Sequence, residues 1–396
     1  MAAPRAYLDH AATSPMPRDV LAAYTAALGT VGNPASTHGH GQRASEALEE
    51  ARDRVARGLG CDRAELIFTA SGTESINLAI KGLYWARRRA GSGPVLLIAD
   101  GEHHATMEAA EWLRDAQGAR IVGLALDAAG RLDPVDLERA IAEHGAEQIA
   151  LVSFLWANNE VGTVQPVAEL CRIAAAHGIP AHVDAVSALG QVPVDFAASG
   201  ASAVSVSAHK IGGPVGVGAL VLGRRVVADA LLHGGSQQRS RSGTQNVAGA
   251  VGFAAALDLV LDAKTDPAPE RTRRMKRMRD RLVAGIQAAD PTAVLRGAPP
   301  GPERLPGNAH FTFPGCQGDS LVFLLDRAGV SVSVGSACQA GVAEISHVLL
   351  AMGLPPETAA GALRFTLGPE TTDEEIDALL EALPAALESA RAAGLS

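Results

Sequence analysis

Between Glu65 and Leu222 seven short, β-rich apolar runs alternate with stretches rich in Ala, Leu and Glu, and no other feature limits the possible folds so tightly. The runs are ELIFTA, PVLLIAD, RIVGLAL, QIALVSFLW, IPAHVDA, SAVSVSA and VGALVLG. A strand buried on both faces reads as a continuous apolar run, and helices between such strands make right-handed crossovers. The pattern therefore predicts an α/β unit built on a mainly parallel, seven-stranded sheet flanked by helices. Helices fit the gaps: in SEALEEARDRVARGL, residues Ala47, Ala51, Val55 and Leu59 form one stripe, with Ser45 available near the start. After about Lys264 the character changes. KTDPAPERTRRMKRMRDRLVAGIQAADP reads as a polar linker and a long helix, followed by NAHFTFPG, GVSVSVGSA and GALRFTLG with helices between them. That order predicts a smaller α+β domain. The expected division is a large domain over 16–263 and a small one made of 1–15 and 264–396, with RGAPPGPERLPG as a surface connection.

At 396 residues the chain has room for two domains, and 47% hydrophobic against 19% charged residues describes a well-buried globular protein rather than a disordered one. No apolar run approaches the roughly 18 residues a membrane helix needs, and MAAPRAYLDH lacks a basic-then-apolar leader, so a cytoplasmic protein without membrane contact is expected. A net charge of −9 argues against direct nucleic-acid binding, and RTRRMKRMRDRL reads as the solvated face of a helix. Cys61, Cys171, Cys316 and Cys338 form no C-x-x-C pair, which signals neither a disulfide framework nor a zinc site. Cys61 and Cys171 read as packing residues, whereas Cys316, in the turn TFPGCQGDS, is a candidate for exposure.

Chemistry concentrates at strand ends. In SVSAHKIGGPVGVGAL, Lys210 closes an apolar strand before a glycine-rich turn, flanked by the donors Ser207 and His209. A strand-end lysine is often only a charge, yet the carboxyl ends of parallel strands are where such sheets bind ligands, and a desolvated lysine amine can form a Schiff base. Asp184 ends the run before it, so the two are either a structural ion pair or the lysine and carboxylate that pyridoxal phosphate requires. FTASGTESINLAIKG offers a phosphate site, with Ser71, Gly72 and Thr73 at a strand-to-helix turn and the helix starting near Thr73. The same residues also make a capping signal. His103 and His104 follow one strand and Asn158 and Asn159 another. Adjacent histidines rarely share one ion, so an imidazole that stacks on a flat cofactor or moves protons is preferred to a metal site.

Ten segments in this order resemble the cysteine desulfurases, a branch of the class V aminotransferase family within the fold-type I pyridoxal-phosphate enzymes. They are YLDHAATSP, GNPAS, SGTESINLAIKG, EHHA, ANNEVGTVQP, HVDAVSALG, SAHKIGGPVGVGAL, RSGT, GSAC and LRFTLG, spread over about Tyr7 to Asp377. The resemblance implies that Lys210 holds pyridoxal 5'-phosphate covalently, that Asp184 pairs with its pyridine nitrogen and that Asn159 meets its ring hydroxyl. His103 would stack on the ring and transfer protons. Gly72, Thr73, Ser207 and His209 would bind the phosphate, joined by Thr244 from the second subunit of a homodimer. Arg364 would grip the carboxylate of L-cysteine, with Asn159 and Asn33 beside it. Cys338 would be the nucleophile, taking the substrate sulfur as a persulfide, leaving alanine and handing the sulfur to an acceptor protein. The Gly, Ser and Ala residues around Cys338 suit a movable carrier.

The chain also departs from the family pattern. Ser187 stands where Gln is usual, Ser236 and Gln238 replace a usual Gly and Glu, and GSACQAGVAEISHVL has Gln after the cysteine and Ile345 in place of Pro. The same scaffold serves selenocysteine lyases and transaminases, and a sulfur-relay protein without catalysis is a further alternative. Cys338 in a flexible segment argues against a transaminase.

Overall fold

A computed structural model describes residues 5–261, 270–335 and 345–392. Its strands, in chain order, are β1 (Ala6–Tyr7), β2 (Leu66–Thr69), β3 (Val95–Ala99), β4 (Arg120–Leu124), β5 (Ile149–Leu155), β6 (Ala181–Asp184), β7 (Ala203–Ser207), β8 (Gly218–Leu222), β9 (Val294–Arg296), β10 (Asn308–Thr312), β11 (Val330–Ser331) and β12 (Ala362–Thr366). The seven apolar runs are β2 to β8, and together they form one sheet ordered β2-β8-β7-β6-β5-β3-β4. Only β8 is reversed, pairing antiparallel with both β2 and β7. Every residue of β3, β5, β6 and β7 is buried because helices cover both faces. The alternation of a strand is visible within that burial: Val95, Leu97 and Ala99 enter one core, and Leu96 and Ile98 enter the core on the other face.

A second core gathers both ends of the described chain. β9, β10 and β12 make an antiparallel sheet in the order β12-β10-β9, and β1 pairs in parallel with β11. Leu8, Leu282, Phe311, Leu325, Phe365 and Leu379 pack there, with helices Glu270–Ala289 and Asp373–Ala392 as cover. Val161, just beyond β5, packs with Val348, Leu349 and Met352 in a smaller cluster that ties the large sheet to the second core.

Three local expectations change. The helix read from Ser45 starts upstream, at Gly39, because the His38 ring accepts the N–H of Gly41 at 3.3 Å and serves as its cap. Its buried stripe is Ala44, Leu48, Ala51 and Val55, and Ala47 is only half-buried. RGAPPGPERLPG is not wholly a surface connection. Arg304 is 1% exposed, and its guanidinium donates to the carbonyls of Ala298 (2.5 Å) and Arg296 and to Asn308 Oδ1 (3.1 Å), so the second half of the loop is held inside. Cys316 is buried in the second core, and burial raises its thiol pKa.

The basic segment behaves largely as a solvated helix face. Met275, Met278, Leu282 and Ile286 point inward, Arg273 and Arg277 pair with Glu270, and Arg281 pairs with Asp373 and Asp377. Arg279 is the exception: it is fully buried and donates to Asp280 (2.6 Å) and to the Leu305 carbonyl (3.3 Å).

Candidate active site

Parallel strands release the chain at one edge, so the residues that follow β5, β6 and β7 converge there. The register Leu155↔Asp184↔Ser205 aligns those ends, and a cavity of about 500 Å³ opens beside them. Lys210 lies in the single 3-10 turn Ala208–Ile211 after β7, which Gly212 ends with a left-handed φ of 79°. Its Nζ donates to the carbonyls of Ala11 (2.5 Å) and Ala12 (3.0 Å). Burial, aided by the charge of Arg364, lowers its pKa to about 8, against the opposing pull of Asp184 and Asp9. An amine with that pKa sheds its proton close to neutrality and can then act as a nucleophile.

Asp184 ends β6 at 2% exposure, and its Oδ1 accepts the N–H of Val186 at 2.9 Å. Burial raises its pKa to about 6, which leaves it ionised at neutral pH and suited to a cationic partner. Behind it His182 is fully buried between Ser153 Oγ and Ser205 Oγ, each at 2.9 Å. His103 caps helix His104–Gln117, its Nδ1 accepting the N–H of Ala105 at 3.1 Å. That bond leaves the proton of the neutral ring on Nε2. Burial, then the charge of Lys210, lowers the His103 pKa to about 4, so the ring is neutral at ordinary pH.

The anion cradle is the start of helix Gly72–Arg89. Ser71, rather than Thr73, is its cap, with Oγ accepting the N–H of Glu74 at 3.1 Å. Glycine at 72 relieves crowding: a Cβ there would sit 2.8 Å from Val186 Cγ2 and displace that methyl group. Ser207 Oγ, which faces the same cavity, is buried without a partner, as is Asn159 Oδ1. A bound phosphate would accept from the first, and a ring hydroxyl would donate to the second. These two orphan atoms, a donor and an acceptor, together with the Lys210 amine and the Asp184 carboxylate, give the set of groups that pyridoxal phosphate needs, so the site fits that cofactor. His209 also lines the cavity; burial holds its pKa at about 4, and its Nδ1 lies 3.3 Å from Thr13 Oγ1.

Arg364 enters from β12 at 5% exposure. It donates to Asp9 Oδ1 (2.9 Å) and to the carbonyls of Asn159 (3.1 Å) and Gly335 (3.4 Å), while its Nε is buried without a partner. A fixed guanidinium facing a cavity suits a carboxylate ligand. Cys338 lies outside the described residues, whereas Ser333, Gly335 and His347 on either side of that segment line the cavity.

Among the described residues, those expected from this chain meet in the cavity, Ser187 included, except Asn33, and Thr244 is the one expected from a second subunit. Thr244 and Asn33 are exposed and lie away from it. Asn33 Oδ1 instead accepts the N–H of Ala35 at 2.9 Å. Asn158 has its own structural task, bridging the Gly101 carbonyl (3.2 Å) and the N–H groups of Glu160 and Val161. Gln238 pairs with both the N–H and the carbonyl of Phe68, each at 2.9 Å, and so occupies the free edge of β2. The sequence gives no local sign of Asp9 beneath Arg364, of the buried Glu102 and Glu160, or of His347, whose ring stands edge-on to His104 at 4.9 Å. Each is a common residue type whose partner is distant in sequence. The one signal available was their place inside segments quoted above for other residues.

Residues 6–379 match the family model described as aminotransferase class-V. The chain is 48% identical over 393 residues to the IscS-like cysteine desulfurase of Mycobacterium tuberculosis, covering 99% of this chain and 98% of that relative. It is 39% identical over 387 residues to the cysteine desulfurase IscS of Dictyoglomus turgidum, covering 97% and 95%. Among solved structures, a NifS-like protein superposes with a TM-score of 0.87 at 33% identity, covering 97% of this chain and all of that one. A second, described as SspA in complex with cysteine, superposes with a TM-score of 0.77 at 28% identity, over 93% and 100%.

Proposed function

The chain belongs to the class-V aminotransferase family, and we propose that, as a cysteine desulfurase, it moves the sulfur of L-cysteine onto Cys338 as a persulfide and releases L-alanine. The relatives named above support the activity. The observation that carries the site assignment is the convergence of Lys210, with its pKa of about 8, and the buried Asp184 on one cavity with unpartnered Ser207 and Asn159 atoms.

Pyridoxal 5'-phosphate, when bound, supplies an aldehyde for an amine and an electron-accepting ring. Lys210 carries the amine, and the Ala11 and Ala12 carbonyls hold its Nζ. Asp184 provides the carboxylate for the ring nitrogen, and Gly72, Thr73, Ser207 and His209 hold the phosphate. His103 presents a neutral ring with Nε2–H outward, fit to stack and to relay a proton. Arg364 orients the substrate by its carboxylate, with Asn159 beside it. The Cys338 thiolate attacks the substrate sulfur, the S–S bond forms as the Cβ–S bond breaks, and the bonding pair leaves with the carbon and is protonated to the methyl group of alanine.

A second copy completes the assembly in this reading: Thr244, exposed in its own protomer, serves the phosphate site of its partner in a cytoplasmic homodimer. The division into domains 16–263 and 1–15 with 264–396 belongs to the same proposal. The persulfide goes on to an acceptor protein, and iron–sulfur assembly agrees with the IscS names of the relatives. The test is sulfide and alanine release from L-cysteine. Lys210→Ala should lose both products and the cofactor absorbance, and Cys338→Ala should lose sulfide transfer while the absorbance stays. Unaltered turnover in Cys338→Ala would remove the nucleophile assignment.

A further inference from the structure

One buried carboxyl beside the site has no part in the chemistry above. Glu160 follows Asn159 in the turn after β5 and is 1% exposed. Its backbone is pinned on both sides, the N–H donating to Asn158 Oδ1 and the carbonyl accepting from Asn308 Nδ2, each at 2.9 Å. Asn308 is the first residue of β10, so this contact anchors the turn to the small sheet.

The side chain so fixed meets the chain at both ends of residues 336–344. On one side Ser346 Oγ donates to Glu160 Oε2 at 2.5 Å, and Ser346 also accepts the N–H of Leu349 at 3.2 Å. On the other, Gly335 passes close by but is held by other partners: its φ is +96°, a Cβ there would lie 3.2 Å from Oε2, and its N–H donates to Ser333 Oγ at 3.1 Å. Arg364 completes the group by donating to the Gly335 and Asn159 carbonyls. Burial raises the Glu160 pKa, and the hydrogen bond from Ser346 and the charges of His347 and Arg364 oppose that rise. A carboxyl oxygen accepting a short hydroxyl bond in a buried place is a strong anchor whether or not it carries a proton, and removing it leaves a partner unsatisfied.

We propose that Glu160 is a positioning residue for sulfur transfer: through Ser346 it fastens the C-terminal flank of the segment bearing Cys338 to the turn whose Asn159 carbonyl also holds the substrate-binding Arg364. Transfer needs the thiolate and the substrate sulfur brought to contact, and a fixed position for Ser346 limits where the chain on the C-terminal side of Cys338 can lie. The proposal rests on the assignment of Cys338 as sulfur acceptor.

The test uses the cofactor-loaded protein in single turnover with L-cysteine, following persulfide on Cys338 by mass spectrometry and substrate binding by the change in cofactor absorbance. In Glu160→Ala, persulfide formation should slow by about tenfold, the scale of a lost buried hydrogen bond. The absorbance change should keep its rate within about twofold, because substrate binding precedes the affected step. Glu160→Gln retains an acceptor for Ser346 and should recover most of the rate. Ser346→Ala should reproduce the defect, and it reads the same contact if Glu160→Ala does not fold. The double variant should be no slower than the slower single one, since both changes break one contact. Wild-type persulfide kinetics in Ser346→Ala or Glu160→Ala, or independent effects in the double variant, would overturn the proposal. Cys338→Ala separates the two ideas: continued turnover there refutes the nucleophile, whereas loss of turnover there with normal kinetics in Glu160→Ala refutes the positioning role alone.

Discussion

Glu102 displays what burial does to a single carboxyl. It is 1% exposed, Oε1 accepts the N–H of Leu155 at 2.6 Å, and Oε2 has no partner. Burial, then the charge of Asp184, raises its pKa from 4.5 to about 8. The folded protein therefore holds a proton that the unfolded chain has released between those two values. The stability this contributes is complete below pH 4.5 and is lost as the pH rises through about 8. Glu102→Gln keeps an acceptor for Leu155 and has no charge to bury. Melting of the apoprotein should show the wild type losing stability relative to this variant between pH 6 and pH 9, by about 1 kcal/mol or more. Parallel curves would mean that Glu102 is ionised in the fold. The neighbouring His103 lines the cavity for a reason visible in sequence, since it lies four residues past the end of β3. Glu102 did not announce itself, because an unpaired acid in a loop normally points to water.

The element that organises the cofactor site is the turn from β2 into helix Gly72–Arg89. Ser71 holds the first turn through its bond to the Glu74 N–H, and Glu74 Oε2 accepts the N–H of Ala70 at 2.6 Å. Ser71→Ala should lower stability by about 1 kcal/mol, a typical capping loss, seen as a lower Tm with the cofactor spectrum retained. Gly72→Ala acts differently: its methyl group would press on Val186 Cγ2 at 2.8 Å, and it should weaken cofactor retention by about tenfold or more on dialysis, through displaced donors. Equal retention in the two variants would show that the helix start has room to adjust. β9 marks the limit of periodicity at this scale. Its residues Val294–Arg296 are half-buried or exposed, so they leave no apolar run, while β5 is buried throughout and is plain in the sequence.

Across the whole molecule, the substrate end of the site is assembled from parts that lie far apart in the chain. Asp9 comes from the first described residues, Asn159 from the turn after β5, and Arg364 from β12, and the guanidinium joins them by donating to Asp9 and to the carbonyls of Asn159 and of Gly335, which follows β11. Asp9→Ala removes the charge that orients Arg364 and should raise the KM for L-cysteine by about tenfold while kcat changes less. A kcat effect alone would place Asp9 in the chemical step. The alternation of apolar runs with helical stretches was enough to determine the α/β class and the seven strands of the large sheet, because that pattern depends on neighbours within a few residues and on burial of both strand faces. Lys210 and Asp184 were legible for a related reason, as polar residues that end apolar strands. Only the tertiary structure decided that Asp9 would lie beneath Arg364, that Glu160 would meet Ser346, and that Arg304 would be buried among the Arg296, Ala298 and Asn308 carbonyls. The first two contacts draw their partners from segments far apart in the chain, and the third from the folding-back of an irregular loop, so none leaves a periodicity in its own segment.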